Sequence, residues 1–336
     1  MSDPARTYNQ NHVPRPYASG RRRVSIYMSW SYPAEANRNP AELDNRFSTM
    51  TEVRKVAWPA FEVPRFADPL QFQRGISGSL ELFFRGWIPF QKLVGEVTGH
   101  PVPLFQRVDQ AGFALSLDER VLDDADTLFI FGLDHNVSGQ TPSQTEIEAL
   151  RTWLRRKGTR LVIGPHHDVG ATDDMDQRAM EYAHHGDTLI PRQERFGRYT
   201  IALLEGLGIP VVNRWALRPA VRSGTLDKIA PFTAFRDADA AGLLAGVESL
   251  NFHMHLPHYA VTRDDGTAHV LAKQSIDTTR PHPMTQGGER EFNMVVWAPP
   301  AGDRAGDVVV CDSTVFSTLF GADESLKRFW KNLVTA

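Results

Sequence analysis

Apolar runs bounded by glycine, proline and small polar residues alternate along the chain with segments of helical period. "RRRVSIYMSW" (residues 21–30) reads as a first strand, and Pro33, Asn37, Asn39 and Pro40 then open a long loop. From Ser79 to Val97 apolar residues recur at helical spacing, with Pro89 expected to kink or divide the segment. "TLFIFG" (residues 127–132) is a strand that runs into Asp134 and His135. After it, Thr141 or Ser143 offers an N-cap, Ile147, Leu150 and Leu154 form one apolar stripe, Gly158 stops the helix, and Leu161 to Ile163 begin the next strand. Such a strand-helix-strand unit crosses over right-handed and builds parallel, buried sheet. "DMDQRAMEYAHH" (174–185) and "RFGRYTIALLEGLG" (195–208) read as further helices, and "IPVV" (209–212) as another strand.

From Glu248 the pattern changes. "ESLNFHMHLPHYAV", "AHVLAKQS" and "FNMVVWAP" read as antiparallel or mixed strands joined by turns such as Asp264, Asp265 and Gly266. "DVVVCDS" is a last strand and "ESLKRFWKNLVT" a closing helix. The expected class is α/β: a doubly wound, mostly parallel sheet, flavodoxin-like or amidotransferase-like, with a β-rich C-terminal extension. The expected organisation is an N-terminal arm over residues 1–20 and a single α/β domain over 21–336, with an inserted long loop at 31–78 and the β-rich extension at 247–300.

Composition narrows the chemistry. Thirty-seven Lys and Arg against 40 Asp and Glu leave a formal net charge of -3, which gives no basic field for nucleic acid or an anionic membrane. No apolar run approaches the roughly 20 residues a membrane helix needs, and the polar N-terminus has no signal core, so a cytoplasmic protein is expected. The single cysteine, Cys311, leaves any metal to His, Asp and Glu. The proline-rich arm and the irregular apolar stretch "VAWPAFEVPRF" suggest a homodimer.

In open parallel sheets ligands bind beyond the carboxyl ends of the strands. The polar residues there are Ser29, Trp30 and Ser31; Asp134 and His135; His166, His167 and Asp168; and Asn213 and Arg214. Histidines also concentrate in two stretches, four within 166–185 and three within 253–258. His253 and His255, two apart on a strand, point to one face. The expectation is a divalent transition metal, Zn, Fe, Mn or Ni, held by His166, His167, Asp168, His253 and His255. Asp134 and His135, with His167 and Asp168, are the candidate catalytic groups, acting as general base or as support for the ligands. Trp30 and Tyr32 are placed to line a substrate pocket, and Arg195 to meet a substrate carboxylate. Glu181 precedes His184 and His185 by one helical turn and shares a face with one of them. Each residue also has a plainer use: histidines after a strand bond to backbone, and an arginine-rich helix face pairs internally. Neither a phosphate loop nor a dinucleotide fingerprint occurs at a strand-to-helix turn.

The stretch "DDADTLFIFGLDHNVSGQTPSQTEIEALRTWLRRKGTRLVIGPHHD" resembles the class I glutamine amidotransferase-like superfamily, especially its ThuA-like (trehalose-utilisation) members. The items that carry the resemblance are Asp126, the strand to Gly132, the helix from Ser143, Gly158 and His166, with the C-terminal strand and helix. The catalytic cysteine of the amidotransferases is missing from the equivalent elbow, where His166, His167 and Asp168 stand instead. The resemblance therefore implies the fold without the glutaminase. The leading expectation is a metal-dependent hydrolase of a small polar molecule, such as an amide, ring or heteroaromatic compound. Two alternatives stand beside it: a non-catalytic binding or scaffolding module, and a metal-free hydrolase using His166 or His167 as base with Asp168 orienting it.

Overall fold

Runs such as "VSIYM", "TLFIFG", "RLVIGP" and "DVVVC" have no polar face to give to water, so each must be covered on both sides, which suits central parallel strands. The computed structural model describes residues 20–29, 85–108, 113–186, 195–221, 232–250, 255–318 and 321–335. The N-terminal arm, short of Gly20, and the 31–78 loop lie outside them. In chain order the elements are β1 (Val24–Met28), a helix α1 over residues 85–98, β2 (Leu104–Gln106), α2 (Glu119–Leu122), β3 (Thr127–Gly132), α3 (Gln144–Leu154), β4 (Arg160–Pro165), α4 (Met175–His185) and α5 (Arg198–Gly206). They continue with β5 (Val211–Leu217), β6 (Thr233–Ala234), β7 (Leu256–Val261), β8 (His269–Ser275), α6 (Pro283–Gln286), β9 (Glu291–Ala298), β10 (Asp307–Cys311) and α7 (Glu324–Thr335).

Among the described residues the main sheet has eight strands in the order β2-β1-β3-β4-β10-β9-β8-β6. The first five are mutually parallel, and β9, β8 and β6 extend them antiparallel. Every residue of β1, β3, β4 and β10 is buried. Side chains alternate between the two faces. Phe129 and Phe131 of β3 join one core with Trp87 and Phe90 of α1 and Phe329 and Trp330 of α7. Leu128 and Ile130 join the other with Leu150 and Trp153 of α3 and Leu203 of α5. Phe90 lies 5.0 Å from both Phe129 and Phe316 and 5.4 Å from Trp330, ring centre to ring centre. Burying each such ring contributes about 1.5–3 kcal/mol.

Helix α3 starts as its sequence predicts. Ser143 caps the Glu146 amide while Glu146 reaches back to the Ser143 amide, and Glu146 further binds Arg107 and the Tyr199 hydroxyl.

Two expectations are corrected. Helix α1 continues through Pro89 without a break. The strand after α5 does not join the parallel sheet: β5 pairs antiparallel with β7 in a separate ribbon. An "IPVV" run is apolar enough for either sheet, and its partner, sited some forty residues downstream, decides which it enters. The result is a mixed α/β fold with a large, mostly parallel central sheet and added antiparallel strands.

Candidate metal centre

Strand β4 ends at Pro165, and the next three residues are fixed by backbone contacts from four directions. The His166 amide donates to the Gly132 carbonyl at 3.0 Å, and the Asn213 side chain donates to the His166 carbonyl. The Phe196 amide donates to the His167 carbonyl at 3.1 Å, and Asp168 exchanges amide-carbonyl bonds with Trp215. The Tyr259 hydroxyl donates to the Pro165 carbonyl at 2.7 Å. Segment 195–197 thus lies across the ends of β3 and β4. It needs Gly197 there, at φ 80°: a Cβ would stand 3.1 Å from Pro165 Cα and 3.2 Å from the His166 nitrogen.

This frame brings His166, His167 and His255 together. One ring nitrogen from each lies within 4.8 Å of the others. His166 and His167 are buried and His255 is half-buried. The ring centres are 4.0 Å apart for His166 and His167, 4.6 Å for His167 and His255, and 6.1 Å for His166 and His255. His185, at the end of α4, adds a fourth imidazole 4.0 Å from His255 and 4.8 Å from His167. Phe196 walls the group, 5.3 Å from His166 and edge-on to His167 at 5.0 Å. Behind His166 stands Asp312, the residue after β10, with its two oxygens 3.0 and 3.1 Å from Nδ1. Imidazoles converging at this spacing match the donor set of zinc, iron, nickel or copper. Cys311 adds nothing to it: burial pushes its thiol well above the usual range.

The other sequence candidates are placed elsewhere. Asp168 does not join the three histidines, because Arg195 takes both its oxygens, Nε at 2.6 Å and Nη2 at 3.1 Å. The same pair occupies two of the donors that a substrate carboxylate would need from Arg195. Asp134 is fully buried and accepts from the Ser29 hydroxyl and from the Tyr199 amide at the start of α5. His135 stacks at 4.8 Å on Phe196, the ring that walls the site. Glu181 turns from both neighbouring histidines to the Gly170 amide and the Gln177 side chain. Trp30, Tyr32 and His253 lie outside the described residues. Sequence reasoning did not find Asp312, although it follows a strand end as His166 does, and the strand-end rule applied to β10 points to it. Phe196 carries no signal of its own.

No family model matches the chain, and no curated protein matches its sequence. Among solved structures, the mmIFT52 N-terminal domain matches over 75% of this chain and 91% of that chain, at 10% identity and a TM-score of 0.41. A likeness that distant supports no statement about activity or partners. No helix among the described residues is long and apolar enough to cross a membrane.

Proposed function

We propose that His166, His167 and His255 hold one divalent transition-metal ion, and that the protein is a metal-dependent hydrolase of a small polar molecule, an amide, ring or heteroaromatic compound, on an amidotransferase-like, ThuA-like fold. The observation that carries the reading is the convergence of ring nitrogens from two distant stretches of chain to within 4.8 Å in a largely buried setting. Three neutral imidazoles leave the full charge of a divalent ion available, and an ion so held acidifies a water and polarises a carbonyl oxygen. Phe196 and the buried strand ends restrict bulk water around the rings, which strengthens such polarisation.

Protein loaded with zinc, cobalt, manganese or nickel and then desalted is expected to retain about one ion per chain by mass spectrometry. His167→Ala and His255→Ala are expected to retain none while staying folded. Retention below about a tenth of an ion per chain, with no hydrolysis gained on adding metal, ends the reading.

The bond from His166 Nδ1 to Asp312 favours one second reading, metal-free catalysis with His166 as base and Asp312, in place of Asp168, orienting it. Hydrolysis that survives chelation selects it.

A further inference from the structure

We infer that Asp312 is the positioning residue of this centre: it holds His166 with Nε2 turned to the ion and supplies the negative charge that the imidazole ligands lack. The inference rests on the metal reading above. A carboxylate only accepts hydrogen bonds, so the proton between the two groups sits on Nδ1 and the lone pair remains on Nε2.

The fold spends several contacts on keeping Asp312 there. β10 and β4 run parallel with Val310 opposite Ile163, so their ends stay level and residue 312 meets residue 166. The 3₁₀ turn Ser313–Phe316 follows directly, and the Ser313 hydroxyl donates to the Gly164 carbonyl and accepts from the Gly132 amide at 3.1 Å. Gly164 has no room for a side chain, since a Cβ would stand 2.6 Å from the Ser313 nitrogen. Asp312 is 2% exposed and is fixed by Thr314, whose amide donates to Oδ1 at 3.2 Å and whose hydroxyl donates to Oδ2 at 2.9 Å. A buried carboxylate aimed at the far nitrogen of a ligand is how metal-binding histidines are oriented and made more basic.

Asp312 also caps the turn, and a cap alone explains its presence. Asparagine separates the two roles. It caps as well as aspartate, and Oδ1 can still accept from Nδ1 and from the Thr314 amide while Nδ2 donates to the Thr314 hydroxyl. The charge is lost, and with it the second acceptor that Oδ2 offers Nδ1 at 3.1 Å.

Zinc affinity, measured by competition with a chromophoric chelator, is expected to fall about tenfold in Asp312→Asn and about a hundredfold in Asp312→Ala. The metal-free melting temperature is expected to hold in the Asn variant and to drop in the Ala variant. Zinc bound by Asp312→Asn as tightly as by wild type overturns the inference and leaves Asp312 a cap. Wild type that binds no zinc removes the metal reading and this inference together, which is a separate outcome. Should the Asn variant not fold, Thr314→Val removes the hydroxyl that fixes Oδ2 and keeps the charge; a several-fold loss of zinc affinity supports positioning, and unchanged affinity overturns it.

Discussion

Two groups of histidines meet at the end of α4, and the chain divides neighbours between them: His185 faces His167 and His255, while His184 faces His282 at 4.7 Å. In the second group every ring accepts a backbone amide. The Arg218 amide donates to His184 Nε2 at 3.0 Å, the Asn293 amide to His258 Nδ1 at 3.1 Å, and the Met284 amide to His282 Nδ1 at 3.2 Å. Trp215 completes this group, edge-on to His282 at 5.2 Å and stacked over His258 at 6.0 Å. A ring nitrogen that accepts an amide has no lone pair left for an ion. In the first group His166 Nδ1 meets a carboxylate, Asp312, which accepts the ring's proton and leaves the lone pair on the far nitrogen. Identical side chains are thus mortar in one place and, on the reading proposed above, ligands in the other, and the group opposite each nitrogen distinguishes the two.

The comparison breaks most visibly at His282. His282→Ala removes a fully buried ring and the acceptor that caps α6, and should lower stability by about 2–4 kcal/mol in denaturant titration. Zinc stoichiometry should stay at the wild-type value. A folded His282→Ala protein that has lost its zinc would show that the two groups are one unit.

Acid should act on the same region next. Burial, and then the nearby charge of His184 and His258, lowers His282 to about 3; burial, Arg214 and Lys273 lower His258 to about 4; burial also lowers His184. The unfolded chain takes these protons near pH 6.5 and the folded chain refuses them. Stability is therefore intact above about pH 6.5 and declines as pH falls toward the folded values, by about 2 kcal/mol for His282 at pH 5. His282→Asn keeps a capping acceptor and cannot titrate, so the metal-free variant should show a flatter stability curve between pH 7 and 5. An unchanged slope would mean that His282 is not kept neutral by the fold.

How much of this was legible in the sequence follows from the range of the forces. Local signals placed β3, β4, α3, α4 and α7, because a capping box, a helical stripe or a wholly apolar run acts within one turn or one strand. The strand-end rule marked His166 and His167, and the clustering of histidines marked His255. Pairing was not legible. Val211 to Leu217 carries the same apolar code whether it joins the main sheet or β7, and Asp312 meets His166 only because β10 inserts beside β4. Nor could sequence separate His184 from His185, since their roles depend on Arg218 and Arg280 backbone groups far along the chain.

The smallest effect sharpens the comparison at its rim. Arg195 and Asp168 are each one residue from a member of the site's wall or triad, Phe196 and His167, yet they pair with each other across an antiparallel bridge. Neighbouring side chains on bridged backbone leave on opposite faces. Phe196 goes to the histidines, so Arg195 goes to the other side, where Asp168 and the backbone of Trp215 lie. The Arg195 side chain is 40% exposed, and an ion pair so open to water contributes about 1 kcal/mol or less. Arg195→Ala should therefore lower stability by no more than that, leave zinc stoichiometry unchanged, and leave kcat and KM unchanged for any substrate the zinc-loaded protein hydrolyses. A raised KM at constant kcat would place a substrate anion on Arg195 and move the rim of the site to the Asp168 side.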